Sequence, residues 1–407
     1  MIMPKTEKKN VPGEAFETTH IGVLDGIRVL AVGIVVWFHF WQQTWLMPIA
    51  GDVNLDYLPR YGYLMVDMMI LISGFLLALP YAKAKIYGEQ PPSIREFFIK
   101  RIARIAPSYY FIIFAILFVV AIPEDMYATG TDVLKDLVPH MLFIHNLFDV
   151  SYIGTHLDGA LWTVAVLVQL YAVFPFIIKG FNKKPILTYA IMTAVSVVST
   201  VLITHNPDIT GDFSKITMLC NTTLSFVCVY ANGILAAYFY IGFTKGRERT
   251  KYGQYLATVV AVGCVILYKV LCDDLARSVA EGKGGVWQLE NRYLLSIVFI
   301  IFVLAVICSV KWFRKIFDNR VMRLFAGISF NLYMVHQYVA ERLTQEDIPH
   351  MSGDNPAASG AAYQWSKLAL CLGISFALAF AITYIIEKPC AKSIKNRFLK
   401  GTEKRKK

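Results

Sequence analysis

Residues 21–46 read IGVLDGIRVLAVGIVVWFHFWQQTWL. Asp25, Arg28 and His39 are its ionisable residues. The run exceeds the roughly 20 apolar residues that a helix needs to cross a bilayer. It is too long for the apolar core of a secretory signal and has no small-residue cleavage site, so it reads as a first membrane span. Comparable blocks follow at 61–80, 105–122, 161–178, 185–203, 217–242, 253–270, 291–310, 324–343 and 365–386. The chain is 56% hydrophobic, above the roughly 45–50% of soluble domains. The fold expected is therefore an all-α integral membrane protein with about ten transmembrane helices.

The net charge of +11 could point to nucleic acid, but its placement argues otherwise. The segments between spans sort into two alternating sets. The termini and the loops near 81–104, 179–184, 243–252 and 311–323 hold 30 of the 40 Lys and Arg. The loops near 47–60, 123–160, 204–216, 271–290 and 344–364 hold 5, together with 17 of the 29 carboxylates. Basic loops stay in the cytoplasm, so both termini are expected there. The expected organisation is a cytoplasmic tail over 1–20, a ten-helix membrane domain over 21–388 and a basic cytoplasmic tail over 389–407. No further domain is expected from a tail of that length.

Within the outer loop, residues 131–148 are apolar but short, and Pro139 interrupts them. They read as an interfacial or re-entrant segment. His140 and His145 lie there. Five residues on a continuous helix is about 500° of rotation, so the two are expected to face apart. No metal site is expected from them, and none from the seven cysteines, which lack a Cys-x-x-Cys pair.

An ionisable group in a span costs at least ~2.5 kcal/mol on insertion scales, so each such group is a functional candidate. Lys269, Arg292, Glu341 and Arg342 sit near predicted span ends and are expected to snorkel to the interface. Asp25, Arg28, His39, Asp67 and His336 do not. Arg28 and His39 are eleven residues apart, about 20° past three full turns. They therefore share a face about 16 Å apart along the axis. Asp25 lies at i−3 from Arg28, where an ion pair on the helix surface would also be purely structural. Acyl transfer from a thioester to a hydroxyl needs a base for the hydroxyl proton, and a neutral histidine serves. It also needs positive charge or donors for the developing oxyanion. A CoA-type donor brings phosphates, which arginines bind well. Arg101 and Arg104, at i and i+3 before the third span, could cradle them, although the same residues fit ordinary positive-inside anchoring.

These residues resemble those of the acyltransferase family 3 of membrane proteins, which includes cell-surface polysaccharide O-acetylases. The resemblance runs from Leu24-Asp25-Gly26-Ile27-Arg28 through Trp37-Phe38-His39, to Gly62–Asp67 and Ile72–Leu76. It continues through Phe98–Arg101 with Arg104, Ile105, Pro107 and Tyr109, then Leu161-Trp162-Thr163 with Gln169, Tyr171 and Pro175. It closes on Gly327–His336 and Tyr384–Pro389. Nearly the whole chain is covered, in order. The resemblance implies His39 as catalytic base, Arg28 as its active-site partner, and Arg101 and Arg104 at the acyl-CoA entrance. Ser73, Asp67 and His336 carry over with less defined roles, and Asp25, Trp162 and Gln169 complete the candidates. One departure is evident. Many polysaccharide O-acetylases have two glutamates before the glutamine, where this chain has Leu167 and Val168.

The expected function is transfer of an acyl group, first among them acetyl, from cytosolic acyl-CoA to a hydroxyl of an extracytoplasmic acceptor such as a cell-surface carbohydrate. The resemblance implies a bacterial plasma membrane. The competing reading is a transporter or flippase of a lipid-linked or anionic small molecule, which intramembrane Arg and His also suit.

Overall fold

The structure, a computed structural model, describes residues 14–18 and 20–399. Most of the N-terminal tail and the end of the basic C-terminal tail lie outside them. Among the described residues the chain is almost wholly helical. Helix α1 spans Gly22–Thr44 and ends where Trp45 turns left-handed. A small hairpin pairs Ile49–Ala50 with Val53–Asn54. Then come α2, Met65–Tyr87, and α3, Ile94–Ile116, which continues as a π-helical turn to Ala121. The segment α4, Gly130–Met141, precedes α5, Trp162–Lys183, and α6, Pro185–Thr204. Next are α7, Thr223–Thr244, α8, Lys251–Ala280, and α9, Gly284–Cys308. The last are α10, Arg320–Gln345, α11, Gly360–Ala381, and α12, Lys388–Phe398.

Among the described residues nine helices are long and apolar enough to cross a membrane. The chain is an all-α integral membrane protein. The tenth expected span, 324–343, is α10. Its 26 residues would reach about 39 Å, ample for a bilayer. It falls outside the nine because Asn331, His336, Gln337, Glu341 and Arg342 dilute its apolar character. Its central residues Asn331 to His336 are all buried, and it packs between α1 and α11.

Boundaries differ from expectation where charge continues a helix. Hydropathy places the third span at 105–122, but the helix begins at Ile94, capped by Ser93 Oγ accepting from the Glu96 N–H at 3.1 Å. Arg101 and Arg104 are thus on the helix rather than in the loop before it. Likewise, the first ten residues of the expected basic tail form α12, which packs along α3. The expected span 217–242 is broken at Asn221 and Thr222 into a short helix, Phe213–Cys220, and α7.

Close backbone approaches set the core. A Cβ on Gly233 of α7 would lie 2.1 Å from the Leu71 carbonyl oxygen of α2, and one on Gly74 would lie 2.6 Å from that of Tyr230. Small residues let the α2 and α7 backbones touch, the packing device of membrane helices. Gly26 does the same for α1 against the Phe317 backbone.

Candidate active site

Helix α1 carries both principal candidates. The helix runs without a break from Gly22 to Thr44, so the eleven-residue spacing of Arg28 and His39 keeps them on one face. At the C-terminal turns of α1, His39 meets His336 of α10, ring centroids 5.0 Å apart. The His39 Nδ1 lies 3.1 Å from the Gln42 Oε1. An amide oxygen only accepts, so this Nδ1 carries the proton and the Nε2 keeps a lone pair. The fully buried His336 repeats the arrangement: its Nδ1–H donates to the Tyr333 carbonyl at 2.6 Å. Its Nε2 is buried with no hydrogen-bond partner. Two imidazoles therefore sit side by side, each with Nε2 available as a base.

One end of the bundle gathers cations. Arg28 pairs with Asp25 at 3.6 Å, and Asp25 also meets His20 at 3.1 Å. The charges of Arg104 and Arg101, and the Tyr171 hydroxyl, all act on Arg28. Arg104 is held by Glu387, at the end of the π-helical turn Ile382–Glu387. The other Glu387 oxygen accepts from Asn331 at 2.7 Å. The Arg101 Nε is buried without a partner. Ser73 Oγ and the Tyr171 hydroxyl are 3.0 Å apart, which joins α2 and α5 to this cluster. Arg28, Arg101, Arg104 and Ser73, singled out separately in the sequence, are thus neighbours. A set of guanidiniums with one donor unsatisfied suits the phosphates of a CoA-type molecule.

Three other candidates go elsewhere. Asp67 forms an ion pair with Arg292, 2.9 Å between Oδ1 and Nε, with both residues nearly fully buried. The N–H is not aimed at the oxygen, so the contact is electrostatic rather than a well-formed hydrogen bond. Arg292 also donates to the Cys220 carbonyl at 2.8 Å and lies over the Phe226 ring. It does not snorkel as expected, because this carboxylate and carbonyl receive it inside the bundle. Trp162 packs among the Tyr152 and Phe226 rings. Gln169 donates to the Phe143 carbonyl at 2.7 Å and to Asn146 at 2.9 Å, and accepts from Thr223. Gln169 fastens the α4 region to α5 and α7.

That region overturns another expectation. His140 and His145 do not face apart: their rings stack, 3.9 Å between centroids and 7° between planes. The rotation argument assumed one continuous helix, but α4 stops at Met141, and Phe143 adopts a left-handed φ of 56°. The chain doubles back and lays His145 on His140. Asp136 anchors the turn, accepting from Tyr127, Thr155 and the His156 N–H. Burial and the neighbouring His140 hold the His145 imidazole well below its ordinary pKa.

Sequence reading missed Gln42 and Tyr333, which set the two imidazoles. Their i+3 and i−3 spacings from His39 and His336 were the available signal. It also missed Lys367, fully buried on α11, whose Nζ donates to the Ile348 carbonyl at 2.9 Å.

A family model described as "Acyltransferase domain" matches residues 21–387. The chain belongs to this family. It is similar to the O-acetyltransferase OatA of Staphylococcus aureus (strain NCTC 8325 / PS 47), 21% identical over 77% of this chain and 49% of the relative. The peptidoglycan O-acetyltransferase OatA of Listeria monocytogenes is 21% identical over 79% of this chain and 49% of that protein. A putative peptidoglycan O-acetyltransferase of Bacillus subtilis, YrhL, is 25% identical over 40% and 24%. The chain spans about half the length of the OatA relatives it matches. No solved structure matches it.

Proposed function

We propose that this protein is a bacterial plasma-membrane O-acyltransferase that moves an acetyl group from cytosolic acetyl-CoA to a hydroxyl of an extracytoplasmic, cell-wall carbohydrate. The observation that carries the proposal is the layout of α1, with a convergence of arginines near one end and a paired base near the other. In this reading the arginine-rich end and both termini face the cytoplasm, as the distribution of basic residues supports. Arg28, Arg101 and Arg104 hold the CoA phosphates, and the acyl arm follows the Arg28–His39 face of α1.

His39 takes the acceptor hydroxyl proton on its free Nε2. The hydroxyl oxygen bonds to the thioester carbonyl carbon, the carbon–sulfur bond breaks, and the CoA sulfur leaves with the electron pair. The proton on His39 returns to that sulfur, directly or after passing to His336, and both imidazoles end neutral. The names of the relatives, which are O-acetyltransferases, favour acetyl and a peptidoglycan-type acceptor.

Calorimetry of acetyl-CoA binding to the purified full chain, with Arg28→Ala as comparison, tests the donor half. Binding that Arg28→Ala weakens supports the reading. Well-folded protein that binds no short acyl-CoA overturns it.

A further inference from the structure

Beyond the histidine pair, the same face of α10 continues outward through Tyr333, Gln337 and Glu341, spaced at four residues and so aligned along the helix. Gln337 Nε2 donates to Glu341 Oε1 at 2.8 Å. Opposite lies the turn that leads into α5. A Cβ on Gly159 would stand 3.2 Å from Gln337 Nε2, so the chain passes close against Gln337 there. The preceding residue, Asp158, is 1% exposed. Its Oδ1 caps the turn, accepting from the Ala160 N–H at 2.9 Å. Its Oδ2 is buried and has no hydrogen-bond partner. Glu341 is close enough for its charge to act on Asp158, and Tyr333 and Tyr109 are close enough to feel the charge of Asp158. Among the described residues neither Asp158 nor Glu341 forms an ion pair. Tyr333 is occupied with Thr163 of α5, hydroxyl to hydroxyl at 2.6 Å.

A buried carboxyl oxygen without a partner costs free energy unless something completes it. Here two buried polar atoms without partners, the carboxyl oxygen Asp158 Oδ2 and the imidazole nitrogen His336 Nε2, lie along one track that also holds Gln337 and Glu341. Helix α5 itself brings no carboxylate.

We infer that Asp158, Gln337 and Glu341 form the acceptor subsite, taking the hydroxyls of a neutral polyhydroxylated compound and delivering one of them to the His39–His336 pair. Carboxyl oxygens without partners accept from sugar hydroxyls, and the Glu341 charge repels anionic acceptors. Burial, with the nearby Glu341 charge, holds the Asp158 carboxyl well above the usual carboxylate range, so it also has a proton to donate to a sugar oxygen. Gln337 offers a second donor. The inference rests on the proposed acyl transfer and adds which residues choose the acceptor.

The test compares cells producing the full chain as wild type, Asp158→Asn, Glu341→Gln or His39→Ala, measuring base-labile acetyl ester on the envelope glycan. Purified variants are then titrated with acetyl-CoA. Asparagine caps a turn as well as aspartate does, so Asp158→Asn spares the local fold. The expected result is an ester loss of about tenfold in each carboxyl variant, the loss of one hydrogen bond worth about 1.4 kcal/mol, with donor affinity unchanged. Wild-type ester levels in both variants, alongside loss in His39→Ala, overturn the inference and leave the acyltransferase reading standing. Equal loss of ester and donor affinity assigns the carboxyls to folding and also overturns it. Ester carried by lipid rather than glycan removes the polyhydroxyl acceptor. Wild-type ester in His39→Ala brings down the acyltransferase reading itself, and the inference with it.

Discussion

His39 and His336 approach edge to face with ring centroids 5.0 Å apart, and each is tied through Nδ1 to an oxygen of its own helix. Both tautomers are thereby fixed with Nε2 open. His39→Ala is expected to lower acetyl transfer by about 10²–10⁴-fold, the usual contribution of a general base. Gln42→Leu frees the His39 ring and should lower kcat less, with the KM for the donor unchanged. Steady-state transfer in proteoliposomes separates the two, and a His39→Ala variant of full activity would remove the base assignment.

Arg101 and Arg104 differ in what their loss exposes. Arg104 neutralises the buried Glu387, so Arg104→Ala should weaken both stability and donor binding. Arg101 has a buried, unpartnered Nε, and Arg101→Ala should raise the donor Kd about tenfold with little change in thermal midpoint, one charge-assisted hydrogen bond being worth ~1.5–3 kcal/mol. Titration calorimetry beside thermal unfolding reads both. An unchanged Kd would leave Arg101 as an anchor only.

The Asp67–Arg292 pair predicts a stability effect without a catalytic one. Removing one partner of a buried pair costs about 3–5 kcal/mol, so Asp67→Ala should unfold at markedly lower temperature. Replacing both, Asp67→Leu with Arg292→Met, should recover much of the loss because no lone charge remains. Thermal unfolding in detergent checks this, and a double variant no better than the single would contradict it.

The stacked His145 makes the α4 region sensitive to acid. Its imidazole pKa is depressed in the folded protein by burial and by His140. The associated stability is therefore complete above the ordinary imidazole pKa and is lost as pH falls toward the folded value. The thermal midpoint should drop between about pH 7.5 and about pH 5. His145→Phe keeps the stack without the titrating group and should flatten that slope. The groups facing the ring are His140 and the Tyr109 hydroxyl at 3.4 Å, and the nearby Asp136 carboxylate lies against His140, at 3.3 Å, rather than against His145.

Most of the architecture was legible because a bilayer demands long apolar runs, and nine helices meet that demand. Helix α10 was read as an apolar block with the others, although it is the most polar of them and its polar residues are sheltered by neighbouring helices. The placement of Arg28 and His39 followed from helix geometry alone. Arg292 could not be read correctly, because its partner Asp67 lies on another helix more than two hundred residues away. The His140–His145 stack was hidden for a different reason: a single left-handed residue, Phe143, reversed the chain where periodicity assumed it ran on. Asp158 carried no periodic signal, since it sits in a turn.

The contact of α2 with α7 has a consequence for traffic through the molecule. Where Gly74 and Gly233 let two backbones touch, no flat or elongated molecule can slip between them, so that seam is a closed wall. A side chain larger than glycine at position 74 or 233 would have to push these two backbones apart, deforming the wall.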